Sequence, residues 1–236
     1  MTNNFELFRV PEKVYFKKGS LPIALRELKE VYHIRKVLIL MSDLRCQENA
    51  VQQLTDSLHE LQIEYAVSEL DCPVTSAPEC VLAYGDSVLE TAAKIVGALP
   101  EKPYYITVPS HLGTTAHVLP LPDGNFPDMT IIDTDIMQEN PEVVKMALSR
   151  ALDAIACEKA TEYSDSMAVR AVQILLNMAE CSAEQLAEAG TLAGCAYCNA
   201  HAQKNQKAGR ETVCAEKLGM QTEQLLKMLE AIAFNF

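Results

Sequence analysis

No proline follows Pro141, although the chain runs on to Phe236. Proline lacks a backbone donor and clashes with the preceding helical turn, so a long stretch without it is free to form uninterrupted helix. Alanine, leucine, glutamate and methionine dominate that stretch, and glycine is scarce. These are strong helix formers. Upstream the pattern is different, because all 11 prolines lie at or before position 141 and punctuate short apolar runs. The break divides the chain into residues 1–138, read as an α/β domain with a parallel sheet, and residues 139–236, read as an all-α domain.

Within the first part, Lys36 to Met41 is continuously apolar after its lysine and stops at Ser42-Asp43, the signature of a buried parallel strand. Val14 to Phe16, Ile63 to Val67, Cys80 to Tyr84, Tyr104 to Val108 and Met129 to Asp133 are further strand candidates. Between them, Leu21 to Tyr32, the run holding Val51, Leu54, Leu58 and Leu61, and Val88 to Leu99 carry helical spacing. This alternation predicts a Rossmann-like sheet. In the second part, helices are expected from Pro141 to about Tyr163, Asp165 to Glu180, Ser182 to about Gln203 and Glu211 to Ala233.

Charge and composition narrow the function. Thirty-two acidic residues against 20 basic ones give −12 at neutral pH, which repels phosphate backbones and anionic lipid, so neither nucleic acid nor a membrane is an expected partner. The acidic excess holds in both parts, −8 before the boundary and −4 after it. No stretch approaches the roughly 20 apolar residues of a membrane span, and the first residues lack a leader pattern, so a cytoplasmic location is expected. In that compartment the eight cysteines are expected as reduced thiols, either core residues or ligands.

Six segments could carry chemistry. Asp43 follows an expected strand at the carboxyl edge of the sheet, where open α/β folds bind ligands and an acid can take a ribose hydroxyl; a solvated turn aspartate is the alternative. Gly85-Asp86-Ser87 lies where a strand breaks and a helix begins, a geometry that can receive a phosphate, although Asp86 brings a negative charge there and the pair also suits a helix cap. Ser110 to His117 is a polar loop with Gly113, Thr114, Thr115 and two histidines that could meet a nucleotide, or simply face solvent. Asp153 and Cys157, four apart, share a helical face and could both reach a metal. Cys195, Cys198 and His201 rise too steeply along a helix to close a tetrahedral site and read mainly as buried thiols. Lys204, Lys207 and Arg210 suit a solvated helix end complementing the dipole.

Taken in order, these segments resemble the iron-containing alcohol dehydrogenases, and most closely the alcohol dehydrogenase half of bifunctional aldehyde-alcohol dehydrogenases. Pro11 to Leu25 is similar to the family's first strand and its Phe-x-x-Gly-Ser-Leu turn, and Val37 to Asp43 to its first nucleotide-binding strand. Gly85-Asp86-Ser87 with Ala93-Lys94 stands where the family has Gly-Gly-Gly-Ser and a downstream Asp-x-Ala-Lys. Pro109 to His117 stands where it has Pro-Thr-Thr-x-Gly-Thr-Gly-Ser-Glu. Met129 to Asp135, Leu152-Asp153-Ala154 and Thr191 to Ala200 are similar to later family blocks.

The resemblance implies NAD or NADP on the first domain, at Asp43, Gly85, Asp86, Ser87, Gly113 and Thr114, and a metal, iron or zinc, in the helical domain. The family holds its metal with one Asp and three His. Here Asp153 matches the ligand aspartate, Cys157 stands at the first histidine, and in Thr212 to Gly219 Thr212 replaces a ligand histidine and Glu216 a second histidine. A Lewis acid that lowers the alcohol pKa needs more than one carboxylate to hold it. The expectation is thus a degenerate homologue, a pseudoenzyme acting through binding or assembly with another copy or a full-length dehydrogenase relative. An active NAD(P)-dependent alcohol or aldehyde oxidoreductase with a rebuilt Asp153–Cys157 site is the alternative. A small metal or redox sensor using the C-terminal cysteines is the third.

Overall fold

The computed structural model describes residues 8–41, 48–69, 78–122, 124–202 and 209–235. They form two compact units, Pro11–Glu139 and Asn140–Phe236, with the described residues before Pro11 grouped with the second. In that second unit, the Arg9 amide donates to Asn199 Oδ1 at 2.7 Å and the Asn199 amide donates back to the Arg9 carbonyl. Among the described residues no helix is long and apolar enough to cross a membrane.

The α/β unit alternates β1 (Lys13–Phe16), α1 (Ser20–Glu30), β2 (Lys36–Met41), α2 (Glu48–Glu60), β3 (Glu64–Glu69), β4 (Cys80–Tyr84), α3 (Asp86–Ala98), β5 (Tyr104–Val108) and β6 (Met129–Ile132). The six strands make one sheet in the order β1-β6-β5-β4-β2-β3, and every pairing is parallel. Successive residues point to opposite faces, so each central strand serves two cores. Val37, Ile39, Leu82, Ile106 and Ile131 pack with Leu21, Leu25 and Leu28 of α1 and Leu54 and Leu58 of α2. Leu40, Val81, Ala83 and Tyr105 face the other way, onto Val88, Leu89, Ala92 and Val96 of α3. Burial on both faces explains the continuous apolar runs in the sequence.

The turn into α1 shows why its residues are specific. Gly19 adopts φ +73°, a conformation that costs glycine little. That turn aims the Gly19 and Leu21 N–H groups at the buried Asp133 carboxylate, 2.8 and 2.9 Å away. The carboxylate at the end of β6 therefore caps the helix that follows β1. A second buried network lies under β5 and β6, where the Thr107 and Thr130 hydroxyls both donate to the His117 carbonyl.

The helical unit contains α4 (Pro141–Ala156), α5 (Glu162–Leu175), α6 (Ala183–Asn199), α7 (Arg210–Leu218) and α8 (Thr222–Asn235). Asn140 caps α4, with Pro141 just inside it, and capping boxes at Thr161–Ser164 and Ser182–Gln185 start the next two. Such pairs satisfy donors that a helix start leaves open. The core is built from small side chains, with Ala147, Ala151, Ala168, Ala171, Ala189, Ala193 and Ala196 fully buried. Two sequence expectations are corrected here. The first helix stops at Ala156, not near Tyr163, because Cys157 turns to extended φ/ψ and Thr161 opens a new cap. The single helix expected from Glu211 to Ala233 is two helices, since Gly219 adopts φ +67° and its N–H returns to the Ala215 and Glu216 carbonyls, a glycine C-cap.

Candidate functional site

In the α/β unit, β4 and β5 end side by side, and the segments that follow them carry five of the expected site residues, Gly85, Asp86, Ser87, Gly113 and Thr114. Tyr84 ends β4, Gly85 turns with φ +100°, and Asp86 opens α3. Across from them, Val108 ends β5 and leads to Ser110 and His111. A main-chain bridge between His111 and Gln138 pins this loop, with Leu112 N–H on the Gln138 carbonyl and Gln138 N–H on the Ser110 carbonyl, each at 2.8 Å.

Asp86 joins the two loops. Its Oδ1 accepts the Ser110 N–H at 3.2 Å, and its Oδ2 lies 2.7 Å from His111 Nδ1. A carboxylate only accepts, so Nδ1 carries the proton. Ser110 Oγ accepts the Asp86 N–H at 3.3 Å and sits 3.0 Å from the same Nδ1. Both side chains of this hydrogen-bonded pair are mostly buried, 24% exposed for His111 and 18% for Asp86. Ser87 lies one residue on and is exposed. Gly113 and Thr114 are buried in the same loop, and the Thr114 hydroxyl accepts the Ala116 N–H at 3.3 Å. That hydroxyl serves the loop itself. Asp43 lies outside the described residues.

His117 departs from the expected solvent exposure. It is 1% exposed, and burial lowers its pKa to about 3, so the ring is neutral at ordinary pH. The polar run in the sequence hides a chain reversal that turns this side chain into the unit's interior.

The helical unit holds a second carboxylate of interest. Asp153 is 6% exposed on α4, and its Oδ1 receives Nη1 of Arg210, from the first position of α7, at 2.6 Å. The neighbouring Asp153 carboxylate holds the guanidinium pKa above its ordinary value against the opposing effect of burial. A cation at a helix N-terminus opposes the helix dipole; the Asp153 pair is what makes the position favourable. Arg210 was expected at a solvated helix end that complements the dipole, and this arrangement corrects that. Lys217 of α7 adds a parallel tie, donating to Asp165 at 2.6 Å and to the Ile155 carbonyl at 3.0 Å.

The residues present do not fit the metal implied by the resemblance. Cys157 does not complete a helical face with Asp153, because it lies past the end of α4 and its thiol donates to the Ala200 carbonyl at 3.1 Å. Thr212 and Glu216, at the positions of family histidines, are exposed. Among the described residues no group of three or more His, Cys, Asp or Glu is placed to hold a metal ion. Burial pushes Cys195, Cys198 and Cys214 up to about 12, far from the thiolate that reacts. His201 is exposed just past the end of α6, at φ +49°.

Sequence reasoning missed two partners, Arg210 for Asp153 and His111 for Asp86. Each pair joins residues from different elements, 57 and 25 positions apart, and no local spacing encodes such a contact.

Comparison with known proteins bears out the resemblance. No family model matches the chain. It is 24% identical over 269 aligned residues to the aldehyde-alcohol dehydrogenase of Clostridium acetobutylicum, an alignment covering 84% of this chain and 31% of that protein. The chain thus spans about a third of the length of the curated relatives it matches. Among solved structures, the iron-containing alcohol dehydrogenase of Thermococcus thioreducens superposes with a TM-score of 0.76 at 18% identity, over 96% of this chain and 85% of that one. The NADH-dependent butanol dehydrogenase A of Thermotoga maritima gives 0.69 at 18% identity, over 97% and 82%. The fold is that of the iron-containing alcohol dehydrogenases, a Rossmann-like unit followed by a helical one, and the sequence relationship points the same way.

Proposed function

We propose that this relative of the iron-containing alcohol dehydrogenases does not carry out metal-dependent alcohol oxidation, and that it works by binding or assembling with a protein partner. One observation carries the reading: the carboxylate that matches the family's metal-ligand aspartate is paired with Arg210 at 2.6 Å. A divalent ion bound to Asp153 would have to displace this guanidinium or share the carboxylate with it. Displacement leaves a partly buried arginine with only the more exposed Glu211 beside it, 3.5 Å from its Nε, and sharing sets two positive charges side by side. A metal supplies Lewis acidity only where several donors hold it, and among the described residues Asp153 is already engaged and no group of three donors surrounds it.

The partner we propose is a second copy of the chain or a full-length dehydrogenase relative. β1 is an edge strand, and its Val14 and Phe16 are 42% and 39% exposed. An edge strand has unpaired N–H and C=O groups and can add to another sheet. The rival reading is an active NAD(P)-dependent alcohol or aldehyde oxidoreductase with a rebuilt metal site.

Metal content decides between them. Protein purified anaerobically without chelators should hold well under one iron or zinc per chain while remaining folded, and should form no NADH when given short alcohols. About one ion per chain, lost in Asp153→Ala, together with alcohol-dependent NADH formation, would establish the rival. Light scattering across a range of concentrations then tests the partner, with a monomer at every concentration and no association with a full-length aldehyde-alcohol dehydrogenase counting against it.

A further inference from the structure

We infer that Asp86 fills the anion seat of the α/β unit with its own carboxylate and so shuts the seat to the pyrophosphate of a dinucleotide. The position of the seat follows from the topology. β3 lies on one side of β2 and β4 on the other, so the strand order reverses between β2 and β4. Open α/β sheets bind ligands in the crevice beyond the carboxyl ends of the strands that flank such a reversal. β4 leads directly into α3 through Gly85, and the first N–H groups of a helix are the groups that would receive a phosphate there.

Three N–H groups at this turn are already used. Gly85 N–H donates to the Val108 carbonyl at 3.0 Å, Asp86 N–H to Ser110 Oγ at 3.3 Å, and Val88 N–H back to the Gly85 carbonyl at 3.0 Å. Gly85 itself provides a conformation and not extra room. Its φ of +100° suits glycine, yet a Cβ added there would meet nothing nearer than 3.8 Å. The glycine therefore keeps the strand-to-helix turn, while the next residue changes what the turn can hold.

The carboxylate is fixed at this turn by two donors from the neighbouring loop, Ser110 N–H at 3.2 Å and His111 Nδ1 at 2.7 Å. Swinging it aside would take the acceptor from the Ser110 N–H and leave His111 Nδ1 with only Ser110 Oγ, 3.0 Å away. An incoming phosphate would instead meet a fixed like charge, the arrangement by which binding sites reject a ligand class. Asp86 is thus a specificity-determining residue that excludes phosphate-bearing ligands, while the rest of the turn is retained. This inference concerns the α/β unit alone and is independent of the Arg210 reading, because metal analysis and nucleotide titration report on different units.

The test is calorimetric titration of the full chain with NAD+, NADH, NADP+ and inorganic pyrophosphate. Wild type should show no saturable binding up to about 1 mM, a level at which only weak complexes escape detection. Asp86→Asn keeps an acceptor for Ser110 N–H and removes the charge, and it should tighten dinucleotide or pyrophosphate binding at least about tenfold. Asp86→Gly removes the side chain altogether and should do the same; circular dichroism and melting temperature verify that each variant is folded. Micromolar binding by the wild type would overturn the inference. So would folded Asn and Gly variants that stay as inert as the wild type.

Discussion

Each of the two units holds a carboxylate that the family resemblance would give to a ligand, and each satisfies it internally, but by different means. In the α/β unit Asp86 is held by an imidazole and a main-chain amide, with both side chains of the hydrogen-bonded pair in partial contact with solvent. In the helical unit the Asp153 side chain is 3% exposed and is met by a guanidinium that is itself 20% exposed. The first partner is an imidazole, whereas the second is a guanidinium that keeps its charge at any pH a protein survives. The more deeply buried acid has the permanent cation. Its pair is therefore expected to hold structure together, and the shallower one to govern what may enter.

The largest effect should come from breaking the deeper pair. Asp153→Ala leaves Arg210 in a partly buried position with only Glu211, 3.5 Å from its Nε and 35% exposed, as a counter-charge, and removing one member of a buried pair costs about 3–5 kcal/mol. Urea denaturation followed by circular dichroism should show the helical unit unfolding at a much lower midpoint. Replacing both members with apolar residues of similar volume should recover much of that loss, because the uncompensated charge then disappears. A single-variant loss below about 1 kcal/mol would place the pair among ordinary surface ion pairs and would break the comparison.

A second test lies in the α/β unit and involves pH. Burial lowers the His117 pKa from 6.5 to about 3, so below 6.5 the unfolded chain binds a proton that the folded chain refuses. Stability contributed by the neutral ring is fully present above pH 6.5 and falls as pH drops toward 3. Between about pH 6.5 and pH 5 the loss should be about 2 kcal/mol, at 1.36 kcal/mol per unit. Urea midpoints near pH 7.5 and pH 5 measure it, with His117→Leu as the reference. The variant should lack this component while retaining the contribution of Asp128, whose pKa burial raises and which therefore acts in the opposite direction. Equal pH dependence in the two proteins would show that the ring is not the source.

The sequence disclosed the fold well because the fold is written in local patterns. Lys36 to Met41 and Cys80 to Tyr84 are apolar on both faces and became central strands, and Ser182 announced a helix start that the structure realises. The proline-free stretch hid its own interruptions, since Thr161 and Gly219 break helices by capping and without proline. The sites were less legible. Asp86, His111 and Asp153 could each be singled out by residue type, yet what each does depends on a partner brought in from another element. Arg210 lies at a helix start where the dipole disfavours it, and only the tertiary contact with Asp153 accounts for it.

The smallest effect is expected at Asp86, and it sharpens the comparison most. Asp86→Ala removes acceptors for Ser110 N–H and His111 Nδ1 and takes a favourable negative charge from the start of α3. His111 is 24% exposed and its Nδ1 also lies 3.0 Å from Ser110 Oγ, so water and that hydroxyl can replace part of what its ring loses. The cost of Asp153→Ala, which strips a partly buried guanidinium of its nearer carboxylate, therefore has no full counterpart here. The expected loss is about 1 kcal/mol, the scale of one hydrogen bond together with a helix-terminal charge. Measured by urea denaturation beside Asp153→Ala, the two variants should differ by at least about 2 kcal/mol. Equal losses would mean that exposure and partner type do not separate the two carboxylates, and that both are structural ties.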